Sequence, residues 1–426
     1  MKTLGEVASF LSGGTPKKSI PTYWDGDISW YSASNMNMRF LSDAEPRITE
    51  QGLAAGSKLA PQGATLLLVR GSGLFNYIPI CFADQNVAFN QDVKAICAKP
   101  KTDPMFLHFW IESLRPILRG NIGVTGIGAG KFDLDFLKAL PFPEIGETEQ
   151  NKIGILASSF DRKIEMNRWM NATLEAMARA LFRDWFVDFG PTRAKMAGSP
   201  PYLAPEIWSL FPDRLDDDGV PEGWEEEPLS EFFSILGGGT PKTKEPDYWG
   251  GDILWYSVVD APDGSGVYVL DTEKKITQRG VEESSAKLVR EGTTIISARG
   301  TVGKLAMAAQ DMTFNQSCYG LQGAGEVGDC FTYLAAQHMV SRLQAMAHGS
   351  VFSTITRATF DSLLLPKPSG EIFSAFDAAV SPHFAKMKAN GNETRTLAQT
   401  RDLLLPKLMS GEIRVREAEA IVEAAR

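Results

Sequence analysis

At 426 residues, with 43% hydrophobic and 22% charged residues, the chain has the make-up of a soluble globular protein with room for two or three cores. Its four cysteines (Cys81, Cys97, Cys318, Cys330) and four histidines show no ligand spacing, which argues against a disulfide framework or a zinc site and suits a reducing compartment. No apolar run is long enough to cross a bilayer and the N-terminus lacks a signal-like apolar stretch, so a cytoplasmic location is expected. The net charge of −9 is unevenly placed: residues 199–230 carry one basic and nine acidic side chains, whereas residues 1–145 and 146–198 are each +1. Whole-chain acidity therefore does not exclude DNA, and any basic surface must be local.

In chain order, residues 1–145 read as a compact α+β domain. Short β-rich runs at Ala64–Val69, Val87–Phe89 and Val93–Ile96 are punctuated by Gly and Pro, with one helix near Met105–Leu114. Residues 146–190 predict a long helix, roughly 38 residues or about 57 Å. Ile153, Phe160, Leu174 and Leu181 fall on one heptad position; Leu156, Met170 and Met177 fall on another, with Lys163 and Asn167 interrupting the seam. Gly190-Pro191 predicts its end. Residues 191–228, rich in Pro and Asp, read as an acidic linker.

The remainder repeats the beginning. Leu4-Gly-Glu-Val-Ala-Ser-Phe-Leu-Ser-Gly-Gly-Thr-Pro16 returns as Leu229-Ser-Glu-Phe-Phe-Ser-Ile-Leu-Gly-Gly-Gly-Thr-Pro241, an offset of 225. The same offset relates Tyr23-Trp24 to Tyr248-Trp249, Trp30-Tyr31-Ser32 to Trp255-Tyr256-Ser257, and Asn90-Gln91 to Asn315-Gln316. Such agreement over rare residues marks a tandem duplication. Residues 229–370 form the second domain, 371–413 a second long helix and 414–426 a tail. In that helix Phe373, Val380, Met387 and Leu408 share one heptad position, and Phe376, Leu397 and Leu404 the other. Pro382 could restart it and Asn390-Gly391 weakens its middle.

Catalytic motifs are not evident. Gly126-Ile-Gly-Ala-Gly-Lys131 resembles a phosphate loop, but Thr125 stands where its first glycine belongs and Phe132 replaces the Mg²⁺-binding hydroxyl. Asp263, Glu273 and Lys275 could form a Mg²⁺-dependent nuclease set acting alone, although the first copy has nothing matching it. A coiled-coil scaffold without DNA contact is a third reading.

The paired Gly-Gly-Thr-Pro…Tyr-Trp…Gly-Asp-Ile…Trp-Tyr-Ser strings carry a family resemblance, together with Glu175–Phe189 and Leu403–Ile413. They make the chain similar to the specificity (S) subunit of type I restriction–modification systems. The resemblance implies an α+β fold of two tandem-duplicated α/β target-recognition domains, separated by an antiparallel pair of long coiled-coil helices with pseudo-two-fold symmetry. It implies a non-catalytic subunit in which each domain reads one half of a bipartite DNA target. The helices would set the spacer and dock methyltransferase (modification) subunits, two of them, with restriction/translocase subunits joining. The complex would be an adenine-N6 methyltransferase and a site-specific deoxyribonuclease. S-adenosylmethionine, ATP and Mg²⁺ would belong to those partners.

Duplication sorts the candidate DNA contacts. Residues alike in both copies cannot distinguish two half-sites, so they should be scaffold or phosphate contacts. Lys17 and Lys242, beside the Gly-Gly-Thr-Pro turn, and Arg70 and Arg299, each before a glycine, are such candidates. Base readout should come from divergent stretches, where Asn35, Arg39, Asn76, Arg119, Asn121, Lys131, Lys304 and Arg357 offer suitable donors. On the outward face of the central helix, Arg179, Arg183 and Trp185 are expected to meet a partner protein.

Overall fold

The computed structural model describes residues 2–424 except 127, 263, 265 and 349–353. The chain forms two compact units, residues 1–164 with 396–426, and residues 165–395. Each unit therefore takes part of both long helices.

In the first unit a five-stranded sheet has the order Ala8–Ser12, Val93–Ala98, Thr65–Leu68, Ile80–Ala83, Phe40–Leu41. All four residues of Thr65–Leu68 are buried, as expected of a central strand covered on both faces. The helix Pro104–Ser113 lies against it and buries Phe106, Leu107, Phe109 and Trp110. Asp103 starts that helix: its carboxylate accepts from Phe106 N at 2.8 Å, and Pro104 occupies the first turn, where its missing N–H costs nothing. A second sheet runs Arg47–Ile48, Trp24–Tyr31, Val87–Phe89, Lys58–Ala60.

The second unit rebuilds this plan. Its five-stranded sheet has the order Phe233–Gly237, Cys318–Gly323, Thr294–Ser297, Leu305–Ala308, Tyr268–Val269, with Trp249–Tyr256 again in a separate sheet. The repeated residues perform repeated tasks. Trp30 Nε1 donates to Gly14 O at 3.1 Å, and Trp255 Nε1 to Gly239 O at 3.0 Å. Trp24 stands edge-on to Trp30 at 5.5 Å, as Trp249 does to Trp255 at 5.2 Å. Asn90 and Asn315 close their turns by accepting at 3.0 Å from the backbone two residues on. Gly26 and Gly251 are required by close approach: a Cβ on either would lie 2.5 Å from the carbonyl oxygen of Ile48 or Ile276.

The long helices span Glu147–Phe186 and Gly370–Ser410. Within the second unit they run antiparallel, Asn167 donating to Glu393 at 2.8 Å and Asn171 accepting from Asn390 at 2.9 Å. The seam of the second helix follows both expected rows, which also take in the buried Asn390 and the Arg401 that bonds Asp161. The seam of the first does not. Its seam rows are Ile153, Phe160, Asn167, Leu174 and Leu181 and, four residues on from each, Ala157, Ile164, Asn171, Ala178 and Trp185, all buried except the half-buried Asn171, Leu174 and Leu181, while Met177 is exposed. Small and polar residues hide this second row behind the more conspicuous Leu156, Met170 and Met177. The helix also ends differently: Phe189 adopts the left-handed conformation (φ 53°), and Gly190-Pro191 starts the next short helix instead of ending the long one.

Pro382 and Gly391 both lie inside an unbroken helix. The backbone bond lost at a mid-helix proline costs about 3 kcal/mol, offset here by burial of Phe376, Val380, Phe384 and Met387 around it. Gly391 leaves room for Leu270, whose Cδ1 would sit 2.8 Å from a Cβ there. The stretch 191–228 is packed and not a free linker. Phe211 and Trp224 enter the second unit's core, Lys195 bonds Phe211 O at 2.6 Å, and Glu225–Pro228 pairs with Leu364–Lys367. The tail contains the helix Val415–Ala424, which buries Val415 and Ala418 in the first unit's core.

Candidate nucleic-acid interface

In the first unit, four of the expected contacts gather beyond the end of the strand Thr65–Leu68. Arg70 lies directly opposite Lys131 in a small three-stranded sheet. Residues 72–79 leave Gly71 as a loop that carries Asn76, whose carbonyl accepts from Arg119 Nη2 at 3.4 Å. Arg70, Asn76, Arg119 and Lys131 are all exposed. The Arg70 guanidinium is held by Asp92, Nη2 to Oδ1 at 2.5 Å. Lys94 joins this group; its pKa is pushed down by partial burial and then by the like charge of Arg70. Sequence reasoning missed Lys94 because the apolar residues around it mark a core strand, and only strand alternation signals that its side chain leaves the core.

Three residues expected to read bases are committed elsewhere. Arg39 reaches inward, bonding Asp161 at 3.0 Å and lying 3.5 Å from Glu112, with its guanidinium over Phe109. It is a structural cation and not a free donor. Burial alone would raise the Glu112 carboxyl, but the Arg115 bond and the charges of Arg39 and Arg115 hold it below its ordinary value. Asn35 spends both ends of its amide on its own loop, donating to Trp30 O and Glu45 O and accepting from Ser32 N. Asn121 donates to Ile117 O at 2.8 Å, closing the helix before it.

In the second unit, Arg299 and Lys304 flank a four-residue-shorter loop at the end of Thr294–Ser297 and are exposed. Ser317 occupies the place of Asp92, so Arg299 lacks the carboxylate that holds Arg70. Ile355 N bonds Ala298 O at 2.9 Å, which brings the segment before Arg357 to the same loop. Arg357 itself donates to Ile235 O at 2.7 Å. Residues 349–353 of the divergent stretch 348–357 lie outside the described residues. Lys17 and Lys242 are exposed, and their carbonyl oxygens accept from Trp24 and Trp249 at 3.3 and 3.2 Å.

On the central helix, Arg179 and Arg183 are exposed, Arg183 bonding Asp188 at 3.0 Å. Trp185 is not on the surface. It is 1% exposed and packed edge-on to Phe211 and Phe376, because it continues the hidden seam row. The exposed aromatic is Trp169, at 75%, accompanied by Met166 and Met177 on the same side. It sits between the seam rows in sequence, so a search for apolar periodicity passes over it. Of the nuclease set, Asp263 lies outside the described residues, and Lys275 pairs with Asp271 at 3.2 Å.

A duplicated α/β domain with exposed basic loops at matched positions has the arrangement that suits a reader of nucleic acid. Residues 1–176 and 221–380 match the type I restriction modification DNA specificity domain, and the chain belongs to that family. It is 29% identical over 312 residues to the specificity subunit of the type I restriction enzyme HindI of Haemophilus influenzae, covering 63% of this chain and 67% of that one. It is 25% identical over 439 residues to the MjaIX specificity subunit of Methanocaldococcus jannaschii, covering 98% and 93%. Its fold is similar to that of the type I S subunit of M. genitalium, with a TM-score of 0.60 at 17% identity over 96% and 95% of the two chains. The chain is thus a DNA-specificity component of a type I restriction–modification system, acting with other subunits of that system and not as the catalyst. The self-contained nuclease gains no support. Among the described residues no helix is long and apolar enough to cross a membrane.

Proposed function

We propose that each unit reads one half of a bipartite DNA target. The observation that carries this reading is the contrast between matched scaffold and unmatched loops. Trp30 and Trp255 make the same bonds, whereas the loops after Arg70-Gly71 and Arg299-Gly300 differ in length and composition. A common frame with different loops suits two different half-sites. Arg70, Lys131, Arg119 and Lys94 supply the basic surface in the first unit, and Arg299, Lys304 and Arg357 in the second.

The paired helices fix the gap between half-sites and dock the catalytic partners, two methyltransferase subunits, with restriction/translocase subunits joining them. Trp169, with Met166 and Met177, supports a partner-binding role for the helix face, because a large exposed apolar group suits an interface. S-adenosylmethionine, ATP and Mg²⁺ serve in those partners, and the assembly works in the cytoplasm. Mapping methylated adenines in a genome exposed to the assembled system tests the reading. A motif of two short half-sites with a fixed gap is expected; a continuous motif would refute it.

A further inference from the structure

The loop that differs most between the two copies carries two exposed aromatic side chains. Between Gly71 and Ile80 the first copy has eight residues, 72–79; between Gly300 and Leu305 the second has four, 301–304. The extra length holds Phe75, Asn76 and Tyr77. Phe75 is 46% exposed and Tyr77 55% exposed, while Leu74 and Ile78 on either side anchor the loop in the core. Asn76 N and Tyr77 N both bond Gly73 O at 3.0 Å, making a tight turn after the short helix Ser72–Phe75. The Arg115 guanidinium lies 4.9 Å from the Tyr77 ring centroid, and Arg115 is itself bonded to Glu112 and to Ile78 O. Tyr77 is thus exposed yet braced.

The surroundings select the occupant. Residues 69–83 and 114–132 contain Arg70, Arg115, Arg119 and Lys131 and no acidic residue, in a chain of net charge −9, although Arg70 and Arg115 are paired with Asp92 and Glu112. Arg119 bonds the loop backbone at Asn76 O, and Lys131 lies opposite Arg70 at the loop's root. An apolar ring among cations fits a polyanion that also presents flat π-faces, which describes nucleic-acid bases better than a protein surface. The second copy offers no aromatic in its shorter loop, where Thr301, Val302, Gly303 and Lys304 stand instead.

We propose that Phe75 is a wedge that stacks against a base step in the half-site read by the first unit, with Tyr77 as its braced neighbour. The stacking is therefore one-sided, because the second unit's loop, 301–304, offers no ring to its half-site. This rests on the bipartite reading above. Inserted apolar side chains unstack base steps and make the contact depend on step flexibility as well as on hydrogen bonding.

The test uses the assembled methyltransferase complex and duplexes carrying 2-aminopurine at successive positions of both half-sites. Its fluorescence should rise at the methylated adenines of both half-sites, where a flipped base gives the same signal, and at one further step of the first unit's half-site; Phe75→Ala should remove only that further rise and weaken binding about tenfold, the scale of one lost stack. Phe75→Trp should retain the rise. Sequence-specific binding with no Phe75-dependent signal would overturn the wedge and leave the bipartite reading intact. Failure of the complex to bind its methylated motif would overturn both. Loss of assembly by Phe75→Ala, with DNA distortion unchanged in the complex that does form, would mark the loop as a protein interface and overturn the wedge.

Discussion

Arg39 and Asp161 meet at 3.0 Å, joining the recognition loops of the first unit to the central helix within that unit. Arg401 of the second long helix bonds the same carboxylate, and Glu112 lies on the far side of Arg39. A buried carboxylate served by two arginines is sensitive to losing either one. Arg39→Ala should destabilise the first unit by about 3 kcal/mol, measured by urea unfolding. The recognised sequence should not change. An altered methylation motif in a variant of normal stability would make Arg39 a reader after all.

Arg299 gives a cleaner test of phosphate contact than Arg70, whose guanidinium Asp92 already holds. Arg299→Ala should weaken DNA binding for every sequence alike and reduce the slope of log affinity against log salt by about one. Titrations at several salt concentrations measure this. A changed motif with an unchanged slope would assign Arg299 to base readout.

The two tryptophans of the central helix should separate folding from assembly. Trp185→Ala should cost about 3–5 kcal/mol in stability, as for other fully buried aromatics. Trp169→Ala should leave stability within about 0.5 kcal/mol and reduce co-purification with the methyltransferase. Equal effects on stability would remove the distinction.

Asp377 predicts a pH dependence in the second unit. Burial pushes its pKa from 3.8 to about 6, although Phe331 N donates to it at 3.0 Å. The folded state thus holds this proton more tightly than the unfolded chain. The contribution of Asp377 to stability is present below about pH 4 and is lost as the pH rises through 6. Asp377→Asn keeps an acceptor without the charge and should stabilise the protein at pH 8 by on the order of 2 kcal/mol, with little effect at pH 4. Melting temperatures at the two pH values decide this; a variant less stable at pH 8 would contradict it.

The architecture was legible because the duplication repeats rare residues. Trp24, Trp30, Asn90 and Gly26 recur at one spacing, and the bonds they make are local enough to recur with them. The second long helix was legible because large side chains, Phe373 to Leu408, mark both rows. The central helix misled because Ala157, Asn171 and Ala178 carry a seam row without apolar bulk, so Trp185 was read as exposed and Trp169 was overlooked. Arg39 was misread for a different reason: its partners Glu112 and Asp161 lie far along the chain, and no periodicity links them. Phe211 and Trp224 were obscured by the acidic residues between them, which remain solvated while the two rings enter a core.

The central claim is that paired helices set the gap between two independently read half-sites. Deleting one heptad from each, residues 170–176 and 385–391, keeps Met166, Trp169 and Met177 and removes about 10.5 Å of helix, or roughly three base pairs of rise. The methylation motif of the assembled variant should keep both half-sites and shorten the gap by about three base pairs. Unchanged spacing in an active variant would contradict the account.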